Sequence, residues 1–228
     1  MSPPREKPRA SAWAYIAPFV AFVVLMVAER FFEAPAGWFY FLRFAAVLGV
    51  ILGASRGVLV LRPSAPWGSL AMGIAAFAIW IAPDLLFGPG YRHSPIFENP
   101  VSGFAASSAP VGLKRNIAFL IVRTLGCTAL VPILEELFWR GWLMRWLIER
   151  DFQTVRIGTY APFAFWAVAL LFASEHGPYW EVGLIAGVAY NWWCVRTKNL
   201  ADCILAHAVT NGLLSAYVLY AGQWQYWL

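Results

Sequence analysis

Glu135 and Glu136 stand side by side in an apolar run, 125–146, that otherwise has the make-up of a membrane span, and Arg140 follows in the same run. A charge at the centre of a bilayer helix costs about 2.5–3.5 kcal/mol on insertion scales. Three charges this close together must be offset by partners or by water. The downstream chain offers companions: His176 and His207 fall in or beside later apolar runs, and Asn211 lies one helical turn past His207. Two carboxylates, two imidazoles and an amide set in hydrocarbon form the inventory of a hydrolase that activates water.

Glu136 and Arg140 are spaced i, i+4 with the acid first, so they should meet on one helix face. Glu135 points about 100° away from its neighbour and is left without that partner. The pair thus divides into a structural carboxylate and a reactive one suited to general-base work. The competing reading puts both glutamates at a cytoplasmic helix end, packed with Arg140, Arg145 and Arg150. His176, taken alone, is equally a helix-end cap, and its neighbours Glu175 and Glu181 are equally solvated loop charges. His207 and Asn211 also lie i, i+4 on one face of an apolar helix, and a buried polar stripe needs partners. A helix–helix hydrogen bond satisfies that need, and so does a pair of donors facing an oxyanion.

The elements that must position these groups are helices in lipid. At 61% hydrophobic and 13% charged, with mean hydropathy +0.61, the chain is far more apolar than a soluble domain, which carries about 25% charged residues. Its 228 residues supply roughly seven spans of about 20 residues. The expected fold is an all-α membrane bundle of about seven to eight transmembrane helices around an intramembrane polar cavity. It forms a single domain, 1–228, with a cytoplasmic N-terminal segment, 1–11, and a catalytic core, 116–220. Apolar runs at 13–28, 39–60, 67–87, 117–139, 162–173, 180–195 and 200–220 mark the spans, the fifth being short. Pro18, Pro83, Pro132 and Pro162 either kink helices or open their first turns. Arg5, Lys7 and Arg9 before the first run, with small residues at 34–37, resemble a signal peptide, but the spans that follow favour an uncleaved helix.

Lys and Arg concentrate on the loops that share a side with the N-terminus, which places that terminus in the cytoplasm. The net charge of +5 and pI near 9.3 are spread over short clusters between runs, so no basic stripe marks a nucleic-acid partner. Cys127, Cys194 and Cys203 read as free thiols, and the thirteen Trp residues as interface anchors and packing. The long connection at 88–115, rich in Gly, Pro, Ser and Ala, reads as a mobile loop or as a lid over a cavity. One tension stands. Simple topology puts Glu135 toward the inner end of span four and His176 at the outer end of span five. They meet only if span four is long or bent at Pro132, or if span five is not a full crossing.

Taken together and in order, EExxxR, FxxxH and HxxxN on successive spans carry a specific resemblance. Glu135-Glu136-Leu-Phe-Trp-Arg140, Phe172-Ala-Ser-Glu-His176 and His207-Ala-Val-Thr-Asn211 resemble the three motifs of the type II CAAX prenyl endopeptidase and bacteriocin-processing (CPBP, or Abi) intramembrane proteases. The similarity covers roughly 116–220. Arg140-Gly-Trp and Gly222-Gln-Trp224 also resemble the bacterial CAAX-protease-related branch associated with exosortase sorting. The resemblance implies a glutamate protease that needs no metal and no other cofactor. In it Glu135 and His176 would activate water, His207 and Asn211 would hold the oxyanion, and Glu136, Arg140 and Phe172 would support the architecture. It also implies a protein or peptide substrate, lipidated or bearing a C-terminal sorting signal, in the lipid of a bacterial cytoplasmic membrane. Two rivals remain open. Two Glu and two His could bind zinc in a catalytic geometry, although the HExxH helix of zincins is absent. Alternatively the polar cluster only locks helices together in a membrane immunity or scaffold protein.

Overall fold

The computed structural model describes residues 11–32, 35, 37–88 and 90–227. Arg5, Lys7 and Arg9, and Ala34 and Ala36 of the small-residue stretch, lie outside the described residues. Among those described there are seven helices and no strand. They are α1 (Trp13–Ala28), α2 (Trp38–Val50, extended by a π turn, Ile51–Ser55), α3 (Pro66–Phe87), α4 (Ile117–Trp146), α5 (Pro162–Ser174), α6 (Trp180–Thr197) and α7 (Leu200–Ala221). Starts and stops follow local chemistry. Pro66 and Pro162 open α3 and α5 at positions where the missing N–H costs nothing. The Asn116 and Asn199 side chains accept hydrogen bonds from Phe119 N–H and Ala201 N–H at the starts of α4 and α7. Gly222, at φ 66°, ends α7 in the left-handed conformation that a residue with a side chain rarely adopts.

Five helices are long and apolar enough to cross a membrane: Trp13–Phe31, Trp38–Ser55, Pro66–Phe87, Ile117–Trp146 and Leu200–Ala221. The chain is a multi-pass helical membrane protein, but two of its apolar runs do not qualify as spans on their own. With 13 residues, α5 rises about 20 Å against a hydrocarbon core of about 30 Å. α6 has the length, but carries Glu181, Asn191 and Arg196. The two pack on one another, and α6 also lies against α3 and α7. α3 runs along α7, meeting it where a Cβ on Gly73 would come within 2.5 Å of Ala206 O. That close approach is what a small residue in a membrane interface permits.

The short α5 removes the topological tension. α4 has 30 residues, enough to pass well beyond a bilayer core, while α5 stops part-way. His176, just past its end, lines one cavity with Glu135 of α4.

Pro132 acts on α4 through its missing N–H. The helix winds as π turns at Gly126–Leu130 and Leu137–Leu143, and Val131 N–H donates five residues back to Gly126 O. The next carbonyl in that pattern, Cys127 O, would pair with residue 132, which is proline and has no N–H. Asn211 Nδ2 donates to it instead, at 3.0 Å. A sequence-encoded gap in one span is closed by a side chain from another.

The 88–115 connection is tied down rather than loose. Arg92, 2% exposed, donates to Asp84 at 3.0 Å, Glu181 at 2.5 Å and Pro178 O at 3.0 Å. Its guanidinium also sits 3.9 Å from the centre of the Tyr179 ring. Ser108 N–H donates to Trp227 O, stapling the connection to the chain beyond α7. At the other end of the bundle Asp202 is fully buried and accepts from Ser64 N–H, Ser64 Oγ, Ala65 N–H and Ser69 Oγ. It pins the α2–α3 connection to the first turn of α7.

Candidate active site

Glu136 and Arg140 are both fully buried and meet as their spacing requires, Arg140 Nη1 donating to Glu136 Oε1 at 3.0 Å. The remaining donors of Arg140 are placed as well. Nε donates to Asn191 Oδ1 at 2.8 Å and Nη2 to Gly187 O at 3.2 Å, both on α6. The guanidinium lies 4.8 Å from the centre of the Phe172 ring, which gives Phe172 a packing role against the cation. Asn191 in turn donates Nδ2 to Phe165 O on α5. A charge that would be prohibitive alone in lipid is thus tied to three helices. Asn191 stands out in the sequence only as an amide in an apolar helix.

Glu136 Oε1 also accepts from His207 Nδ1, at 3.0 Å. A carboxylate can only accept, so Nδ1 carries the proton, and Nε2 is the nitrogen left for other partners. The His207 ring stacks on Tyr190 with centroids 5.1 Å apart. Tyr190 is fixed in turn by donating to Thr210 Oγ1 at 2.7 Å. His176 is oriented by similar logic. Its Nδ1 lies 2.6 Å from Phe172 O, a carbonyl, so the ring donates there and Nε2 bears the lone pair. Gly183 lets α6 pass close behind it, since a Cβ there would sit 3.1 Å from His176 Nδ1.

Glu135, Glu175, His176, His207 and Asn211 all line one cavity of about 270 Å³. Glu135 Oε2 is buried and has no hydrogen-bond partner in the protein. Glu175, read from sequence as a loop charge, accepts from Trp139 Nε1 at 3.1 Å and faces the same space. It is a second carboxylate on the cavity that the motif spacing gave no reason to choose. Among the described residues no three His, Cys, Asp or Glu side chains are grouped as a metal-ligand set. Cys127, Cys194 and Cys203 are free thiols, the last two buried in the core. Chemically, the cavity joins a partnerless carboxylate, an imidazole with a free lone pair, and amide and imidazole groups opposite, beneath an apolar wall.

Residues 117–213 match the family model for Rce1-like type II CAAX prenyl endopeptidases. Over this segment, less than half of its length, the chain is similar to the CAAX protease family. The match takes in all seven residues singled out by the three motifs, and leaves α1 to α3 outside it. Comparison with curated proteins and with solved structures gave no match. The match implies a protease, and so a hydrolase acting on a protein or peptide. The candidate catalytic groups of the polar cavity lie in the matched segment, while Phe19, Phe22, Arg43 and Trp80 of the first three helices line the same cavity.

Proposed function

We propose that the chain is an intramembrane glutamate endopeptidase in which Glu135 is the general base. The observation that carries this reading is the buried, partnerless Glu135 Oε2 on a cavity shared with His176, whose Nδ1 is already committed to Phe172 O. A water held between the carboxylate and His176 Nε2 gives up a proton to Glu135 as its oxygen adds to the scissile carbonyl. The oxyanion that forms takes hydrogen bonds from the second N–H of Asn211 and from His207 Nε2 in its protonated form, with Glu136 fixed on the other ring nitrogen. The proton on Glu135 then passes to the leaving nitrogen, the C–N bond breaks, and the new carboxylic acid gives its proton to the amine, leaving a carboxylate and an ammonium. Glu136 and Arg140 hold the walls.

The site residues fall in a catalytic core at 116–220 of one integral domain, and the preceding helices complete the cavity wall through Phe19, Phe22 and Arg43. The substrate is a membrane-associated protein or peptide, and the basic loops favour an inner bacterial membrane with the N-terminus in the cytoplasm. A single-turnover reaction in ¹⁸O-labelled water, with chelator-treated protein, tests the mechanism. The new carboxylate should carry label from the first turnover. Unlabelled first-turnover product would point to an acyl bond on Glu135 and overturn the activated-water step. Activity lost on chelation and restored by zinc would overturn the glutamate reading.

A further inference from the structure

Arg43 and Arg123 line the same cavity as the candidate catalytic groups and take no part in the chemistry above. Arg43 is 7% exposed. Its Nη2 donates to Glu29 at 2.7 Å, and its guanidinium lies 5.3 Å and 5.0 Å from the centres of the Phe22 and Tyr40 rings. Its Nε is buried and meets no acceptor in the protein. Arg123 approaches the same Tyr40 ring at 4.9 Å and donates Nη2 to Ser108 Oγ at 3.0 Å. Two guanidiniums that line the cavity therefore flank one aromatic ring, Tyr40, of a smaller and mostly apolar pocket that shares both arginines.

Packing alone does not account for this arrangement. Glu29 engages one edge of Arg43 and leaves a charged donor buried, which is costly where water is excluded. A guanidinium fork is shaped for a carboxylate or a phosphate, and its hydrogen bonds to either are the strong, charge-assisted kind. The spacing is also suggestive. Arg123 and Glu135 lie on one helix, α4, twelve positions apart, a rise of about 18 Å that an extended chain of about five residues would cover. An anion held at the arginines would place a bond a few residues away over Glu135.

We propose that Arg43, with Arg123 beside it, forms an anion subsite of the cavity. It takes a carboxylate or phosphate carried by the substrate and so determines which bond reaches the catalytic groups. Its role in cleavage rests on the protease reading of the cavity; its binding chemistry does not. A peptide C-terminus would supply a carboxylate, and a lipid head group a phosphate.

The test is a titration of the purified chain with octanoate, octyl phosphate and octanol, followed by the fluorescence of Trp80 and Trp227, which line the cavity. At least one anion should bind about tenfold or more tightly than octanol, the usual effect of a charge-assisted hydrogen bond. Preference for octanoate assigns the subsite to a peptide terminus, and preference for octyl phosphate to a lipid. Arg43→Gln should bring the anions to the octanol level while leaving octanol unchanged. Equal binding of all three by the unmodified chain would overturn the proposal. So would an Arg43→Gln loss shared equally by octanol, because that would mark a structural residue. If Arg43→Gln does not fold, Arg43→Lys, which keeps the charge, should keep the anion preference, and the unmodified chain decides the rest. Repeating the titration on Glu135→Gln separates the two readings. Glu135→Gln should keep the anion preference under either reading; anion preference in an unmodified chain that cleaves no peptide sinks the protease and spares the subsite, and cleavage by the unmodified chain without anion preference does the reverse.

Discussion

Replacing Arg140 with Ala should be among the most damaging single changes in the chain, and the reason can be worked from its contacts. The guanidinium is fully buried and donates to Glu136, Asn191 and Gly187 O. Removing one member of a buried ion pair costs about 3–5 kcal/mol, because the other charge stays behind uncompensated. Two further acceptors lose a donor at about 1–3 kcal/mol each, although His207 still reaches Glu136 and the losses overlap. A net cost on the order of 4–6 kcal/mol follows. At about 2–4 °C per kcal/mol for a chain of this length, melting should fall by roughly 10–20 °C. Glu135→Gln is the control from the neighbouring position. Its Oε2 has no protein partner, so the change should stay within about 1 kcal/mol, the usual range for substitutions that break no contact. The assay is a set of thermal melts in one detergent, followed by tryptophan fluorescence. If Arg140→Ala melts within a few degrees of the parent, or Glu135→Gln falls as far as Arg140→Ala, the division between a structural and a reactive glutamate is wrong.

Asn211→Ala leaves the Cys127 carbonyl without its donor, so it should cost about 1–3 kcal/mol in melts and slow turnover about a hundredfold or more through the lost oxyanion contact. Full turnover in that variant would reduce Asn211 to a structural tie. Gly183→Ala puts a methyl 3.1–3.2 Å from the His176 ring and Cβ, and the few tenths of an ångström by which the ring must give should lower kcat about tenfold; unchanged kcat would show that His176 has room to spare. Glu98 in the 88–115 connection accepts from His93 and from Ala105 N–H, which hold its carboxyl below the ordinary 4.5. A depressed folded-state value means the clamp is at full strength above that ordinary value and is lost as pH falls through the depressed one. The protection of the Ala105 amide, its exchange measured against the intrinsic rate, should therefore fall as pH drops below about 4.5, and protection unchanged across that range would remove the clamp.

The chemistry was more legible than the architecture around it. Glu136 and Arg140 declare themselves by i, i+4 order, and His207 and Asn211 by sharing a face, because helical periodicity acts over a few residues. Pro132 could be read as a disturbance of α4. Its consequence, a carbonyl captured by Asn211 on α7, depends on a contact between residues 84 positions apart. Asn191 and Asp202 were missed for the same reason. Neither stands at a spacing that pairs it with another polar residue of its own helix, and its partners come from other helices and loops. The 88–115 connection read as loose because Gly, Pro and Ser dominate it, whereas one arginine, Arg92, reaches from it to Asp84 and Glu181. All seven apolar runs form helices, five of them long and apolar enough to cross a membrane; the fifth run already reads as short, and α6 carries Glu181, Asn191 and Arg196 among its apolar residues.

The central claim is that Glu135, and not the other carboxylate on the cavity, removes the proton from water. The most direct measurement compares peptide termini in membranes of cells expressing the parent chain, Glu135→Gln or Glu175→Gln at matched levels of folded protein. General-base removal costs about 10²–10⁴-fold, so new termini made by the parent should vanish with Glu135→Gln and persist with Glu175→Gln. Termini that persist with Glu135→Gln and vanish with Glu175→Gln would contradict the account.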